Sequence, residues 1–299
     1  MADASPIPPR DGAAIDWPAP AKLNLFLHIT GQRADGYHLL QTVFQLLDHG
    51  DSLRFDVRAD GRIRRRSELV GVPEDADLVV RAARALQQLS GTKFGVDIWV
   101  DKRLPLGGGL GGGSSNAATT LIALNSLWNC GLSRGRLAEI GVALGADVPV
   151  FVHGHSAWGE GVGESLTPVD WPERWYVVLV PPVSVSTAEV FAAPELMRHC
   201  EVITIRDFLA GQGDNVCEPV VRARFPEVEV DAAFKALAPY AHARMTGTGA
   251  AVFAAFDDDA QAEAALEAVA GRHHGFIARG CNRSPLLDTL DRVAASGSR

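Results

Sequence analysis

Cysteine is scarce: Cys130, Cys200, Cys217 and Cys281 are spread over 299 residues and include no C-x-x-C pair. That spacing fits neither a zinc site nor a dense disulfide framework, and it suits a chain kept in a reducing cytoplasm. No apolar run is long enough to span a bilayer, so no membrane partner is expected. Residues 1–20 are rich in Pro, Ala and Asp and lack the apolar core of a secretion signal, which predicts a mobile tail over 1–18. Basic residues are also few. With 28 Lys and Arg against 36 Asp and Glu, the net charge of -8 excludes the broad basic face that nucleic-acid binding needs. The one exception, Arg62, Arg64, Arg65 and Arg66, follows a strand-like run over 53–57 and is expected to be a solvated turn.

Hydrophobic residues (47% of the chain) are enough for one large core or two medium ones. The most informative stretch is RLPLGGGLGGGSSNAATTLIALNSLW, residues 103–128. Gly107, Gly108, Gly109, Gly111, Gly112 and Gly113 lead into Ser114, Ser115 and Asn116. Ala117, Leu121, Leu124 and Trp128 then recur at helical spacing. Glycine backbone leading into a helix N-terminus offers free N–H groups and a positive dipole end to a phosphate. Ser114 or Ser115 is the expected N-cap. No Lys precedes Ser114 as in a lysine-type P-loop, and no first strand with G-x-G-x-x-G favours a dinucleotide fold. A flexible linker would not run directly into a buried-looking helix.

Around this loop, alternation over 21–29 predicts a strand, 31–36 a turn, and 38–47 further apolar structure. Helices are predicted over 78–89 and 137–144, the second closing on Gly145, with a strand over 96–100. The segment 154–164 reads as a boundary or hairpin, 175–180 as a buried strand, and 243–245 with 251–256 as strands around Thr246-Gly247-Thr248-Gly249. The irregular mixture predicts an α+β fold with two lobes, 19–165 and 166–292, and a flexible tail over 293–299.

Several isolated residues carry both a plain and a functional reading. Asp147, in Gly145-Ala146-Asp147-Val148-Pro149, has the setting of a turn or cap residue. Lys22 is the sole charge in its strand-like run, a place where a solvated edge residue is common. Tyr37 and His38 either close a loop over a core or hold a heterocycle, and Phe191 is by default a core aromatic. Gly247-Thr248-Gly249 is explained by a β-hairpin, or by backbone packed against the first glycine loop or a substrate phosphate.

Three segments, Ala21-Lys22-Leu23-Asn24, Pro105 through Asn116 and Met245 through Ala250, resemble in order the three motifs of the sugar- and isoprenoid-kinase superfamily of galactokinase, homoserine kinase and mevalonate kinase. PAKLNLFLHITGQRADGYHLLQTVF, GADVPVFVHGHSAWGEGVGE and MTGTGAAVFAAF carry the resemblance from about Trp17 to about Leu290. They are most similar to the members acting on a cytidine diphosphate-linked methylerythritol. The resemblance implies a two-lobed α+β kinase with the active site in the cleft between lobes, and transfer of phosphate from ATP to the 2-hydroxyl of that substrate. It also implies Mg²⁺ as cofactor and a soluble cytoplasmic protein, monomer or weak homodimer.

By the same resemblance Lys22 and Asp147 are catalytic. Pro105, Leu106, Gly107, Gly108, Gly109, Leu110, Gly111, Gly112, Gly113, Ser114 and Ser115 bind ATP, with Ser115 a candidate for the metal by analogy. Asn24, Tyr37, His38, Thr187, Phe191, Gly247, Thr248 and Gly249 bind substrate. Tyr37 and Phe191 are expected to sandwich the cytosine, leaving His38 to read its polar edge. Asp77 stands where the family has an Asn toward adenine, which removes the amide donors. Thr246 replaces Ser, and Ala188 stands where Pro is common. Other readings are a homoserine- or mevalonate-type kinase, which would need no stacking pair, and a catalytically silent ligand-binding module.

Overall fold

The computed structural model describes residues 15–182, 185–225 and 229–296. The chain opens with β1 (Trp17–Gln32) and β2 (His38–Arg58), a long antiparallel pair. Then come β3 (Ile63–Arg65), α1 (Leu78–Ser90), β4 (Gly95–Asp101), α2 (Gly112–Leu127), α3 (Arg134–Leu144) and α4 (Val148–His153). A hairpin of β5 (Ala157–Glu160) and β6 (Ser165–Pro168) leads to β7 (Trp175–Leu179). Four short helices, α5 (Thr187–Ala192), α6 (Ile205–Leu209), α7 (Glu218–Arg224) and α8 (Val230–Leu237), precede β8 (Ala243–Met245) and β9 (Val252–Phe256). The chain closes with α9 (Asp259–Val269), β10 (Gly275–Cys281) and α10 (Pro285–Ser296).

One 10-stranded sheet runs β3-β4-β2-β10-β7-β9-β8, with β1 and β5 also paired to β2. β10 is the seam. Gly280 and Cys281 pair with β2, and Gly275–Arg279 with β7, so backbone hydrogen bonds join the two halves. Two large apolar clusters lie on either side of that seam. One gathers Phe55, Leu86, Leu121, Phe151 and Leu287, and the other Val177, Val190, Val221, Leu237 and Val252. Among the described residues no helix is long and apolar enough to cross a membrane.

Local sequence explains most elements. α1 starts at Asp77, whose side chain accepts from the Val79 N–H, and ends at left-handed Gly91. α3 starts at Ser133, which accepts from Arg136, and ends at Gly145 in extended backbone. α2 has no polar stripe over most of its length, and Ala117, Thr120, Leu121 and Leu124 are all buried, as befits a helix enclosed by α1, α4 and β1. β1 is buried along most of its length instead of on alternate residues, because α2 and α10 pack on it. A polar side chain on β1 therefore has to find a protein partner.

Four expectations are corrected. The arginine run is a solvated turn only at Arg62: β3 pairs parallel with β4, and Arg65 and Arg66 neutralise acids that the fold buries. Arg65 Nη1 lies 2.6 Å from Asp77 Oδ2, both side chains 8% exposed, and Arg66 and Arg58 meet Asp97 at 2.8 and 3.0 Å. The tail ends before Trp17, which is fully buried in β1; residues 1–14 of the expected 1–18 lie outside the described residues. The second tail is helix as far as Ser296, with Val293 buried, and 297–299 lie outside the described residues. α10 also packs Leu286 and Leu287 into the first cluster, so the C-terminal segment belongs to the N-terminal lobe's core.

Asp77→Asn keeps an oxygen for the α1 cap but leaves Arg65 buried without its counter-charge. It is expected to lower unfolding free energy by about 2–4 kcal/mol, read from the urea midpoint. Unchanged stability with an altered KM for ATP would return Asp77 to an adenine contact.

Candidate active site

The glycine loop owes its path to left-handed backbone at Gly107, Gly109 and Gly111, with φ of 72°, 76° and 72°. Such alternation folds main-chain N–H groups into an anion-binding concavity. Gly111 is the N-cap of α2, a correction to the expected Ser114 or Ser115. Both serines fall inside the first turn, where the Ser115 N–H already bonds to the Gly111 carbonyl at 2.8 Å. The N–H groups of Gly112, Gly113 and Ser114 precede the first intrahelical bond of α2, so the helix start is open to an anion.

The second glycine turn packs directly on the first. A Cβ at Gly109 would lie 2.4 Å from the Thr246 carbonyl oxygen, so a side chain cannot fit there. The Ala251 N–H donates to Gly108 O at 3.2 Å. β1 holds both turns: the Lys22 N–H donates to Leu110 O at 3.1 Å, and the Asn24 N–H to Thr246 Oγ1 at 2.9 Å. Threonine supplies the hydroxyl that Ser would.

The Lys22 and Asn24 side chains are buried, and their partners are specific. Lys22 Nζ donates to Asn24 Oδ1 at 2.5 Å and lies 3.3 Å from Asp147 Oδ2. Asn24 Nδ2 donates to Thr42 Oγ1 at 2.9 Å. Lys22 is 4% exposed and Asp147 32%, so the ammonium is enclosed while the carboxylate reaches the cleft. Asp147 occupies the N-cap position of α4 but makes no side-chain cap bond, so its carboxylate is free for Lys22 and for a ligand.

At the other end of the cleft, His38 opens β2 and stacks on Phe191 of α5, ring centroids 5.2 Å apart and planes inclined by 19°. Tyr37 is 64% exposed at the mouth. The expected Tyr37–base–Phe191 sandwich is not preformed, because His38 already covers a face of Phe191. Burial, with the Arg198 charge beside it, holds the His38 imidazole below its ordinary proton affinity, so the ring is neutral at pH 7. Thr187 Oγ1 and Thr248 Oγ1, 2.8 Å apart, tie the start of α5 to the late glycine turn.

One cleft of about 930 Å³ brings together Lys22, Asn24, Tyr37, His38, the loop from Pro105 to Ser114, Asp147, Thr187, Phe191, Gly247 and Thr248. Three expected residues do not line it. Asp77 is engaged by Arg65 and its own helix. Gly249 lies beneath the turn, its N–H bonded to Thr246 O at 3.0 Å. Ser115 is fully buried in the first turn of α2, and its hydroxyl has no hydrogen-bond partner among the described residues. Sequence reasoning missed Asn215, whose Nδ2 donates to Met245 O and Gly247 O at 2.8 Å each, and Arg198 beside His38. Both are isolated polar residues in irregular segments, and no local spacing marks them.

Comparison with known proteins agrees with this geometry. The GHMP kinases N terminal domain matches residues 77–155 and the GHMP kinases C terminal domain residues 203–274. The 4-diphosphocytidyl-2-C-methyl-D-erythritol kinase of Nitrosococcus oceani is 58% identical over 277 residues, 93% of this chain and 98% of that one. The chain belongs to the 4-diphosphocytidyl-2-C-methyl-D-erythritol kinase family. The Alkalilimnicola ehrlichii member is 60% identical over 283 residues, 95% of this chain and 97% of its own. A crystal structure of a 4-(cytidine 5'-diphospho)-2C-methyl-D-erythritol kinase superposes with a TM-score of 0.76 at 31% identity, covering 89% of this chain and 99% of that one. Mevalonate kinase from L. major shares the fold at 12% identity, with a TM-score of 0.66 over 92% of this chain and 99% of its own. Membership of this kinase family implies use of ATP, and the two-lobed α+β expectation holds.

Gly109→Ala places a methyl group against the Thr246 carbonyl at a positive φ. The variant is expected to raise KM for ATP at least about tenfold by parting the two turns, measured by steady-state kinetics. Wild-type kinetics would mean that their close contact is dispensable.

Proposed function

We propose that the cleft transfers the γ-phosphoryl group of ATP to the 2-hydroxyl of 4-diphosphocytidyl-2-C-methyl-D-erythritol. The observation that carries this reading is the single continuous cleft, which joins an anion loop, a carboxylate–ammonium pair and an aromatic–imidazole pair. A homoserine- or mevalonate-sized substrate would leave the Tyr37, His38 and Phe191 end without a purpose.

Phosphoryl transfer asks the protein chiefly to position reactants and to stabilise charge on the phosphoryl oxygens. The main-chain N–H groups from Gly107 to Ser114 meet the second demand without side chains that could misplace the nucleotide. A tertiary alcohol is hindered and weakly acidic, so it needs a base within hydrogen-bond reach, and Asp147 is the carboxylate that the cleft exposes. Lys22, enclosed and 3.3 Å away, aligns that carboxylate and adds positive charge where negative charge develops. Binding at the cytidine end, remote from the reacting oxygen, orients the hydroxyl toward Asp147.

Ser115 is the residue that would hold Mg²⁺: it does not itself line the cleft, but it adjoins Ser114, which does, and its buried hydroxyl has no hydrogen-bond partner among the described residues. Among the described residues there is no cluster of His, Cys, Asp or Glu that could hold a metal, and a Mg²⁺ held mainly by substrate phosphates and water needs none. The ion, when bound, would offset charge on the phosphates.

The direct test is ADP release from Mg-ATP with the cytidine substrate, with homoserine and mevalonate as controls. Turnover with the cytidine compound alone is expected; turnover with a control instead would discard the cytidine end. Asp147→Asn is expected to lower kcat at least about 100-fold with little change in substrate affinity, and full activity would remove Asp147 from the chemistry. His38→Ala should raise KM for the cytidine substrate far more than KM for ATP; equal effects would contradict its place at the base.

A further inference from the structure

Arg198 lies in the irregular segment after α5, outside every motif, yet each of its three nitrogens is engaged. Nη2 donates to the carbonyls of Phe191 and Ala193 at 2.9 and 2.7 Å, and Nη1 to that of Leu196 at 3.1 Å. These are carbonyls at and just beyond the end of α5, which carries Phe191. The third nitrogen, Nε, donates toward His38 Nε2 at 3.2 Å.

A guanidinium has only N–H donors and stays protonated, so this bond requires a lone pair on His38 Nε2. A neutral imidazole with a lone pair on Nε2 carries its proton on Nδ1. His38 lines the cleft and is stacked on Phe191, so Phe191 sets the ring plane and Arg198 the tautomer. We propose that Arg198 is a positioning residue that holds His38 as the Nδ1–H tautomer, making the ring a donor to an acceptor on the pyrimidine. The proposal rests on the cytidine reading for the identity of the ligand, but not for the state of the free enzyme. It assigns His38 a defined polarity. The carbonyl oxygen and the unprotonated ring nitrogen of a cytosine are the groups such a donor selects, and the exocyclic amino group is not.

The test begins with ¹⁵N-histidine NMR of the ligand-free wild-type protein at pH 7.5. A protonated Nδ1 and an unprotonated Nε2 on His38 are expected, and the opposite tautomer would overturn the proposal. In Arg198→Ala the ring should redistribute toward Nε2–H, and KM for the cytidine substrate should rise roughly tenfold with kcat nearly constant and KM for ATP unmoved. Arg198→Lys keeps the charge but cannot hold three carbonyls and the ring together, so it should change in the same direction. It provides the comparison if the alanine variant does not fold. A wild-type tautomer retained in these variants, or KM rising equally for both substrates, would reduce Arg198 to a purely structural role. Absence of wild-type turnover with the cytidine compound would fall on the substrate reading, while the free-enzyme spectrum would still decide the tautomer.

Discussion

Contact between two glycine turns is the constraint on which the rest of the site depends. Gly109 and the Thr246 carbonyl approach so closely that no Cβ can intervene, and the turns come from segments more than 130 residues apart. β1 runs between them and fastens each with a main-chain N–H, one at Lys22 and one at Asn24. Residues two apart in a strand direct their N–H groups to the same edge and their side chains to the same face, so both turns meet β1 along one edge and the two side chains lie together. There they bond to each other, and Lys22 continues to Asp147. The geometry of the phosphate loop and of the charged pair is therefore set by one strand, and displacing either turn would disturb both.

The cleft divides into two ends with different mechanics. The anion loop, Lys22 and Asp147 rest on α2, α4 and β1, all packed into the larger apolar cluster. The aromatic end is built from the 33–37 turn and the six-residue α5, which have less core beneath them. Lys22, Asp147 and the glycine loop thus sit on well-packed elements, and the His38–Phe191 pair on shorter ones braced by Arg198 and by the Thr187–Thr248 contact. β10 couples the ends, because its ladder with β2 and β7 makes the two lobes share one sheet.

How far the sequence could be read depended on the distance over which each feature is determined. The strand over 21–29, the helix after the glycines and the strand pair around 246–249 follow from local pattern, and the structure places each within a few residues. The partners of the arginine run are Asp97 on β4 and Asp77 at the start of α1, which only the β3–β4 pairing and the packing of α1 on β3 bring alongside. Serine is the better N-cap by local preference, whereas the loop enters α2 in left-handed backbone at Gly111, where Phe151 and Lys22 leave no room for a Cβ. Trp17 and Val293 read as tail because the surfaces that bury them belong to distant segments.

By itself, the sequence determined the elements, the acidic balance, and the presence of a glycine-rich loop opening a helix in a kinase-like order of motifs. These are properties of residue type and short-range spacing, which backbone sterics and hydrophobic periodicity translate directly. Only the tertiary structure decided that Lys22 meets Asp147, that Asp77 is taken by Arg65, and that His38 lies between Phe191 and Arg198. Those pairings are between groups far apart in the chain, and their strength comes from burial, which no residue has until the sheet closes around it.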